Sequence, residues 1–372
     1  PICQSPFFPY LTFEFFFLRH TGNRKFERAA EKVMRHLRRM KRPGGLPNGL
    51  YPTFISPTSG NFVSHAITLG ARADSAYEYL LKQWLLSGKT DSRVRAMYET
   101  SIEAIAKHLV RHGGADTCAN CTYIGQLDYH TGLFKHQMDH LVCFVPGMLA
   151  LGARGDSGRE HMRLAEEMME TCYRMYSEQP TGLAPEIAAF HGQSPRVEAD
   201  KGATHHLLRP EVVESLFVLW RKTGDRKYRE WGWHIFEAIE KHCKVAGGGY
   251  TGLKDVTKQR GGFFGAKGAG GGNAAFSIDK MESFFTAETL KYLYLLFADD
   301  RLVPLDRYVF NTEAHPFEIH EAYGYGNEYG ALPEPEDLKA EMAQMVMEGR
   351  GDVAKRVSER SQFCSKHAER CA

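Results

Sequence analysis

The chain has 372 residues, 43% of them hydrophobic and 25% charged, and its 47 basic and 45 acidic side chains leave a net charge of +2. This balance excludes a disordered chain and gives no long-range pull toward nucleic acid or an anionic membrane surface, while a neutral ligand is well tolerated. The length suffices for one large core or two medium ones, and with no run of about 18 apolar residues a membrane-spanning helix is not expected.

In chain order, residues 1–10 match no pattern, and the aromatic stretch "FFPYLTFEFFFL" (7–18) is interrupted by Pro9 and Glu14. The chain opens on Pro1 without a signal-peptide pattern, and the start is read as the edge of a longer gene product. A small polar turn, "RHTGN" (19–23), precedes the charged helix "RKFERAAEKVMRHLRRM". A second helix opens in "ARADSAYEYL" (71–80), ends at "LLSGK" (85–89), and is followed by the amphipathic "DSRVRAMYETSIEAIAKHLV".

Next comes a CxxC, Cys118 and Cys121, with no second CxxC to answer it, so a zinc site is only weakly supported. "NCT" (120–122) is an N-glycosylation sequon, usable only in a secretory compartment.

"QMDHLVCFVP" (137–146) opens a third apolar helix that ends at "LGARGD" (151–156), with "GREHMRLAEEMMETCYRMY" behind it. In "LRPEVVESLF" (208–217), Pro210 suits a first helical turn. Val212, Val213, Leu216, Phe217 and Trp220 then recur as one buried stripe. Glu211 falls in the first turn, where unpaired N–H groups and the macrodipole favour a carboxylate; a cap and a catalytic base account for it equally well. The turn "WRKTGD" (220–225) leads to "RKYREWGWHIFEAIEKHC".

The Gly-rich segment 258–275 lacks the strand and Lys-Ser/Thr of a phosphate loop and reads as a flexible insertion. A fourth apolar helix opens in "DKMESFFTAETL" (279–290) and ends at "LLFADD" (295–300); the tail, 318–372, is charged and helix-prone.

Turns recurring roughly every 65–75 residues signal stacked helical hairpins, and no segment alternates at period 2 over several strands, so an all-α architecture is expected. First helices are too apolar for a surface and second helices are charged, which implies an inner ring wrapped by an outer one. The inner N-terminal ends would then bring Arg72, Asp74, Asp139, His140, Arg209, Glu211, Glu282 and Glu288 to one mouth. Acids there can be caps or ion pairs. Buried charge is expensive unless paired or used, however, and four equivalent tips suggest a polar site suited to glycoside hydrolysis by paired carboxylates.

Several segments, in order, resemble the class I α-1,2-mannosidases, glycoside hydrolase family 47: "TLGARADSAYEYLLKQW" (68–84), "MDHLVCFVPGMLALG" (138–152), "GLAPEI" (182–187), "LLRPEVVESLF" (207–217), "KMESFFTAETLKYLYLLF" (280–297) and "VFNTEAHP" (309–316). The resemblance covers about residues 11–317. It implies an (α/α)7 barrel that removes α-1,2-linked mannose from high-mannose N-glycans with inversion and one Ca2+. By resemblance, Asp74, Glu186 and Glu211 are the catalytic carboxyls, with Glu211 holding or deprotonating the attacking water. Arg72, Asp139, His140, Arg209, Phe284, Glu288 and Glu313 line the sugar and water sites. Thr312 is the direct Ca2+ ligand, and Cys143 and Cys172 form a disulfide, which places the chain in an oxidising compartment. The expected setting is a monomer in the endoplasmic reticulum or Golgi lumen, acting on glycoproteins, not on nucleic acid, with any membrane anchor upstream.

The family's first two hairpins, which carry a further Glu that serves as general acid, have no counterpart before residue 11. An incomplete toroid with apolar edges is therefore expected, and loss of that acid leaves a mannose-binding factor of glycoprotein quality control as the alternative.

Overall fold

The computed structural model describes residues 2–3, 25–114, 118–155, 157–190, 194–258 and 276–319. The aromatic stretch at 7–18, the turn at 19–23, nearly all of the Gly-rich insertion and the tail from 320 onward lie outside the described residues.

Eight α-helices are present among the described residues: α1 (Lys25–Arg39), α2 (Asp74–Leu86), α3 (Ser92–His108), α4 (Val145–Gly152), α5 (Gly158–Ser177), α6 (Glu211–Thr223), α7 (Lys227–His242) and α8 (Leu290–Phe297). Helices α2, α4, α6 and α8 pack side by side in that order, and α3, α5 and α7 each pack outside the inner helix that precedes them. The expected inner and outer rows of hairpins are therefore present.

Local sequence explains the boundaries. Asp91 caps α3 by accepting from the backbone N–H groups of Arg93 and Val94. Gly224, at φ 69°, closes α6 in the left-handed conformation that ends helices. Between α4 and α6 the approach is close. A Cβ on Gly147 would stand 3.2 Å from the Ser215 Cα, and the Gly147 N–H donates to Ser215 Oγ at 3.0 Å.

Two inner helices differ from the continuous helices expected. Residues His140–Phe144 form a 3-10 turn ahead of α4, because Pro146 lies in the first turn and the regular helix starts afresh around it. A π-turn, Phe285–Thr289, leads into α8.

The strands have only two or three residues, too short to show alternation. Gln137–Asp139 pairs antiparallel with Ile187–Ala189, which pairs with Glu198–Ala199. Ala66–Ile67 pairs with Gln126–Asp128, which pairs with Phe134–Lys135. Tyr308–Phe310 and Pro316–Glu318 form a hairpin, and its first strand lies against α2.

Tyr77, Tyr79, Phe217, Phe285 and Tyr292 are fully buried among the inner helices. Trp233 of α7 meets Phe297 of α8 edge-on, and Tyr294 of α8 is 66% exposed. The Cys143–Cys172 disulfide ties the turn before α4 to α5. A second disulfide, Cys118–Cys121, accounts for two cysteines to which the sequence assigned no partner. Among the described residues, no helix is long and apolar enough to cross a membrane.

Candidate active site

The tip of α6 organises the site. Glu211 is its first residue, and its Oε2 accepts from His140 Nδ1 at 2.8 Å. His140 is 1% exposed, and its Nε2 meets the Tyr176 hydroxyl from α5 at 2.7 Å. A carboxylate can only accept, so Nδ1 carries the hydrogen. Burial, then the charges of Glu211 and Glu186, hold the Tyr176 phenol well above its ordinary pKa. The Tyr176 hydroxyl therefore keeps its proton, and the imidazole is held from both sides. Burial alone would raise the Glu211 carboxyl, but the His140 hydrogen bond and charge, with Arg209, outweigh it and leave the pKa below the usual value. Glu211 is thus an ionised, half-buried carboxylate.

Arg209 lies two residues before Glu211. Its Nε is 2.8 Å from both carboxylate oxygens of Glu186, and its guanidinium carbon is 5.5 Å from the Phe284 ring centroid. Glu186 is fixed by its backbone, since its N–H donates to Ala203 and His205 carbonyls and its carbonyl accepts from the His140 N–H.

Asp139 Oδ2 accepts from the Ala71 N–H at 3.2 Å and Oδ1 from Gln126 Nε2 at 3.3 Å. Burial raises its pKa, and Glu186 adds to that. Gly70 is required beside it, because a Cβ there would stand 2.0 Å from Oδ2. The same segment delivers Asp74 to the first turn of α2, where it accepts from the Ser75 N–H at 2.8 Å. Arg72 takes a left-handed φ of 78° and lays its guanidinium 5.6 Å from the Phe54 ring.

Thr312 is on the turn of the 308–318 hairpin. Its Oγ1 pairs with the Tyr79 hydroxyl of α2 at 3.0 Å. Asn311 Oδ1 shapes that turn by accepting from the N–H groups of Glu313 and His315. Glu313 is exposed, with His315 Nε2 at 3.9 Å. Burial, then Glu211 and Glu313, push Glu288 up to about 7. Burial also pushes Glu214 up to about 8, against Lys82 and with help from Glu78. Glu282 pairs locally with Lys280 at 2.6 Å.

Direct contacts therefore join His140, Glu186, Arg209, Glu211 and Phe284, while Asp139 feels the charges of Glu186 and Arg209. Glu288 feels both Glu211 and Glu313, whereas Asp74, Arg72 and Thr312 are held by neighbours of their own. Sequence reasoning missed Tyr176, Gln126, Tyr79 and the buried Glu78–Lys82–Glu214 group; only Glu214, three residues after Glu211 in "EVVE", left a visible signal.

Among the described residues no three His, Cys, Asp or Glu side chains group as a metal site. Thr312 Oγ1 and the Tyr79 hydroxyl are oxygen donors, and Glu288, raised chiefly by burial, feels the charges of Glu211 and Glu313. That donor set fits a hard cation held largely through water.

Stacked helical hairpins that gather carboxyls, an imidazole and a guanidinium about their inner helix starts define an α/α hairpin protein with an ionisable site. More particularly, the chain belongs to glycosyl hydrolase family 47, whose model matches residues 10–319.

The chain is 47% identical over 307 residues to the human endoplasmic reticulum mannosyl-oligosaccharide 1,2-alpha-mannosidase, covering 81% of this chain and 41% of that protein. It is 42% identical to MNS3 of Arabidopsis thaliana, a mannosyl-oligosaccharide 1,2-alpha-mannosidase, covering 80% of this chain and 50% of that one. In structure it is similar to the alpha-1,2-mannosidase from Trichoderma reesei, with a TM-score of 0.71 at 28% identity, covering 82% of this chain and 63% of that one. A D-mannose isomerase at 12% identity and a TM-score of 0.56 shares the fold. The chain thus spans about two-fifths to one half of the length of these curated relatives.

Proposed function

We propose that this chain is part of an α-1,2-mannosidase that removes terminal mannose from high-mannose N-glycans in the secretory pathway. The supporting observation is Glu211, an ionised carboxylate at a helix tip, oriented by His140 and set beside the Arg209–Glu186 pair.

In this reading Glu211 takes a proton from the water that attacks the anomeric carbon, and the bond to the leaving oxygen breaks on the opposite face, inverting the centre. His140 and Tyr176 fix the direction of the carboxylate without leaving the protein interior. Arg209, Glu186 and Asp139 offer donors and acceptors to sugar hydroxyls, and the Phe284 ring covers an apolar sugar face. Asp74 completes the carboxyl set.

Departure of the leaving oxygen requires a proton from a neutral carboxyl. The resemblance assigns that proton to a further Glu of the family and not to Glu288, which would instead face the cation. Ca2+ would be held by Thr312 with Glu288 and Glu313 through water, and when bound it supplies a fixed positive charge that orients sugar hydroxyls. The protein is proposed to act as a monomer, with any membrane attachment supplied upstream.

The test is release of mannose from a Man9 N-glycan by this chain, with and without a calcium chelator, with the product anomer followed by NMR. Release of β-mannose that stops with chelator is expected, and Glu211→Gln should abolish it while oligomannose affinity stays within about tenfold. Binding without release by the unaltered chain would replace this reading with a mannose-binding one.

A further inference from the structure

The sequon at 120–122 plays no part in the site described above. Asn120 carries the only Asn-X-Ser/Thr in all 372 residues, and its surroundings are unusual. Cys118, Cys121 and Thr122 are each no more than 4% exposed, whereas Asn120 between them is exposed. The turn closes through the Cys121 N–H donating to the Cys118 carbonyl at 3.0 Å. Asn120 sits at its tip with φ 61°, a left-handed conformation that asparagine adopts more readily than most residues. Its carboxamide is thus the one side chain of the sequon turned to water, and a bulky substituent there displaces no packing.

Thr122 tells a different story. Its N–H donates to Thr171 Oγ1 at 2.9 Å, and its hydroxyl lies 3.2 Å from Glu167 Oε2 and 3.0 Å from His112 Nδ1. Arg174 locks the same turn from α5. Its Nη1 donates to the Ala119 carbonyl at 2.7 Å and lies 3.1 Å from Cys121 Sγ, and its Nη2 donates to the Pro195 carbonyl at 2.9 Å. A sequon is read through the hydroxyl of its third residue, and in the folded chain that hydroxyl is buried and engaged.

We infer that Asn120 is an N-glycan acceptor and that the glycan is attached before the Cys118–Cys121 disulfide closes. The Asn120 amide nitrogen attacks C1 of the reducing-end sugar of a lipid-diphosphate oligosaccharide. The C1–O bond breaks, the diphosphate leaves with the electron pair, and the nitrogen loses one proton. This rests on the secretory setting proposed above, but not on mannosidase activity.

The full chain, translated behind a cleavable signal into microsomes, tests the first half. Protease-protected chains should carry one endoglycosidase-sensitive glycan, lost in both Asn120→Gln and Thr122→Ala; its absence from protected chains overturns the inference. The second half is tested with unglycosylated, disulfide-verified protein offered to solubilised oligosaccharyltransferase and lipid-linked donor, beside a reduced peptide of residues 118–124. The peptide should be modified at least tenfold faster, and equal rates would overturn the proposed order. Mannose release measured on Asn120→Gln should match the parent, so failure of the enzymatic reading and failure of this one are separately visible.

Discussion

His140→Ala probes the centre of the site. The imidazole donates to Glu211 at 2.8 Å in a setting where burial alone would drive that carboxyl up. A hydrogen bond to a charged group is worth about 1.5–3 kcal/mol, and about 1.4 kcal/mol moves a titration by one pH unit. Removing it should therefore shift the acid limb of the kcat/KM profile up by about one to two pH units, beyond any fall in the plateau. The sign for stability follows from the same group. Because the folded-state pKa of Glu211 is depressed, its contribution is present above the unfolded value and lost as pH falls through the folded one. The stability gap between parent and variant should accordingly be largest near neutral pH and narrow in acid. Mannose release across pH and urea midpoints at three pH values provide both readouts. An acid limb that stays in place while the plateau drops would refute the assignment of Glu211 as the titrating base tuned by His140.

Gly70→Ala forces a Cβ to 2.0 Å from Asp139 Oδ2 and should cost about 2 kcal/mol or more in a urea melt, with KM rising because Asp139 is displaced. Cys143→Ser opens a link across 29 residues, and chain entropy assigns this about 3–4 kcal/mol, readable as a lowered melting temperature under non-reducing conditions. Chelation should lower the melting temperature by several degrees, since a ligand at a hundredfold excess over Kd stabilises the native state by about 2.7 kcal/mol; Thr312→Ala should melt low and ignore the chelator. Phe54→Ala removes the ring beneath the exposed Arg72 guanidinium, and a cation–π contact of about 0.5–1 kcal/mol predicts a KM two- to five-fold higher with kcat unchanged.

Much of the scaffold was legible because each inner helix declares itself twice, by an apolar body and by a polar tip. The α6 segment shows this best: Pro210 and Glu211 mark the start, the stripe from Val212 to Trp220 marks the buried face, and Gly224 marks the end. Residues brought together by the tips were legible for the same reason, since a helix start fixes where its first side chains go. What stayed hidden depends on distant pairing. Nothing near Tyr176 announces that it will reach a histidine 36 residues away, and Gln126 meets Asp139 only because two short strands turn back on each other. The 3-10 and π turns ahead of α4 and α8 were also missed, because they reflect how a helix start adapts to its neighbours and not a change in hydrophobic period.

Helix α5 holds Cys172 and Tyr176 one turn apart, while Cys143 and His140 sit three residues apart on the facing turn. Covalent sulfur and the proton-holding pair are therefore two rungs of one ladder. Reduction would loosen the lower rung and let the upper one drift, so redox state should be felt in the aim of the Glu211 carboxylate before the fold as a whole gives way.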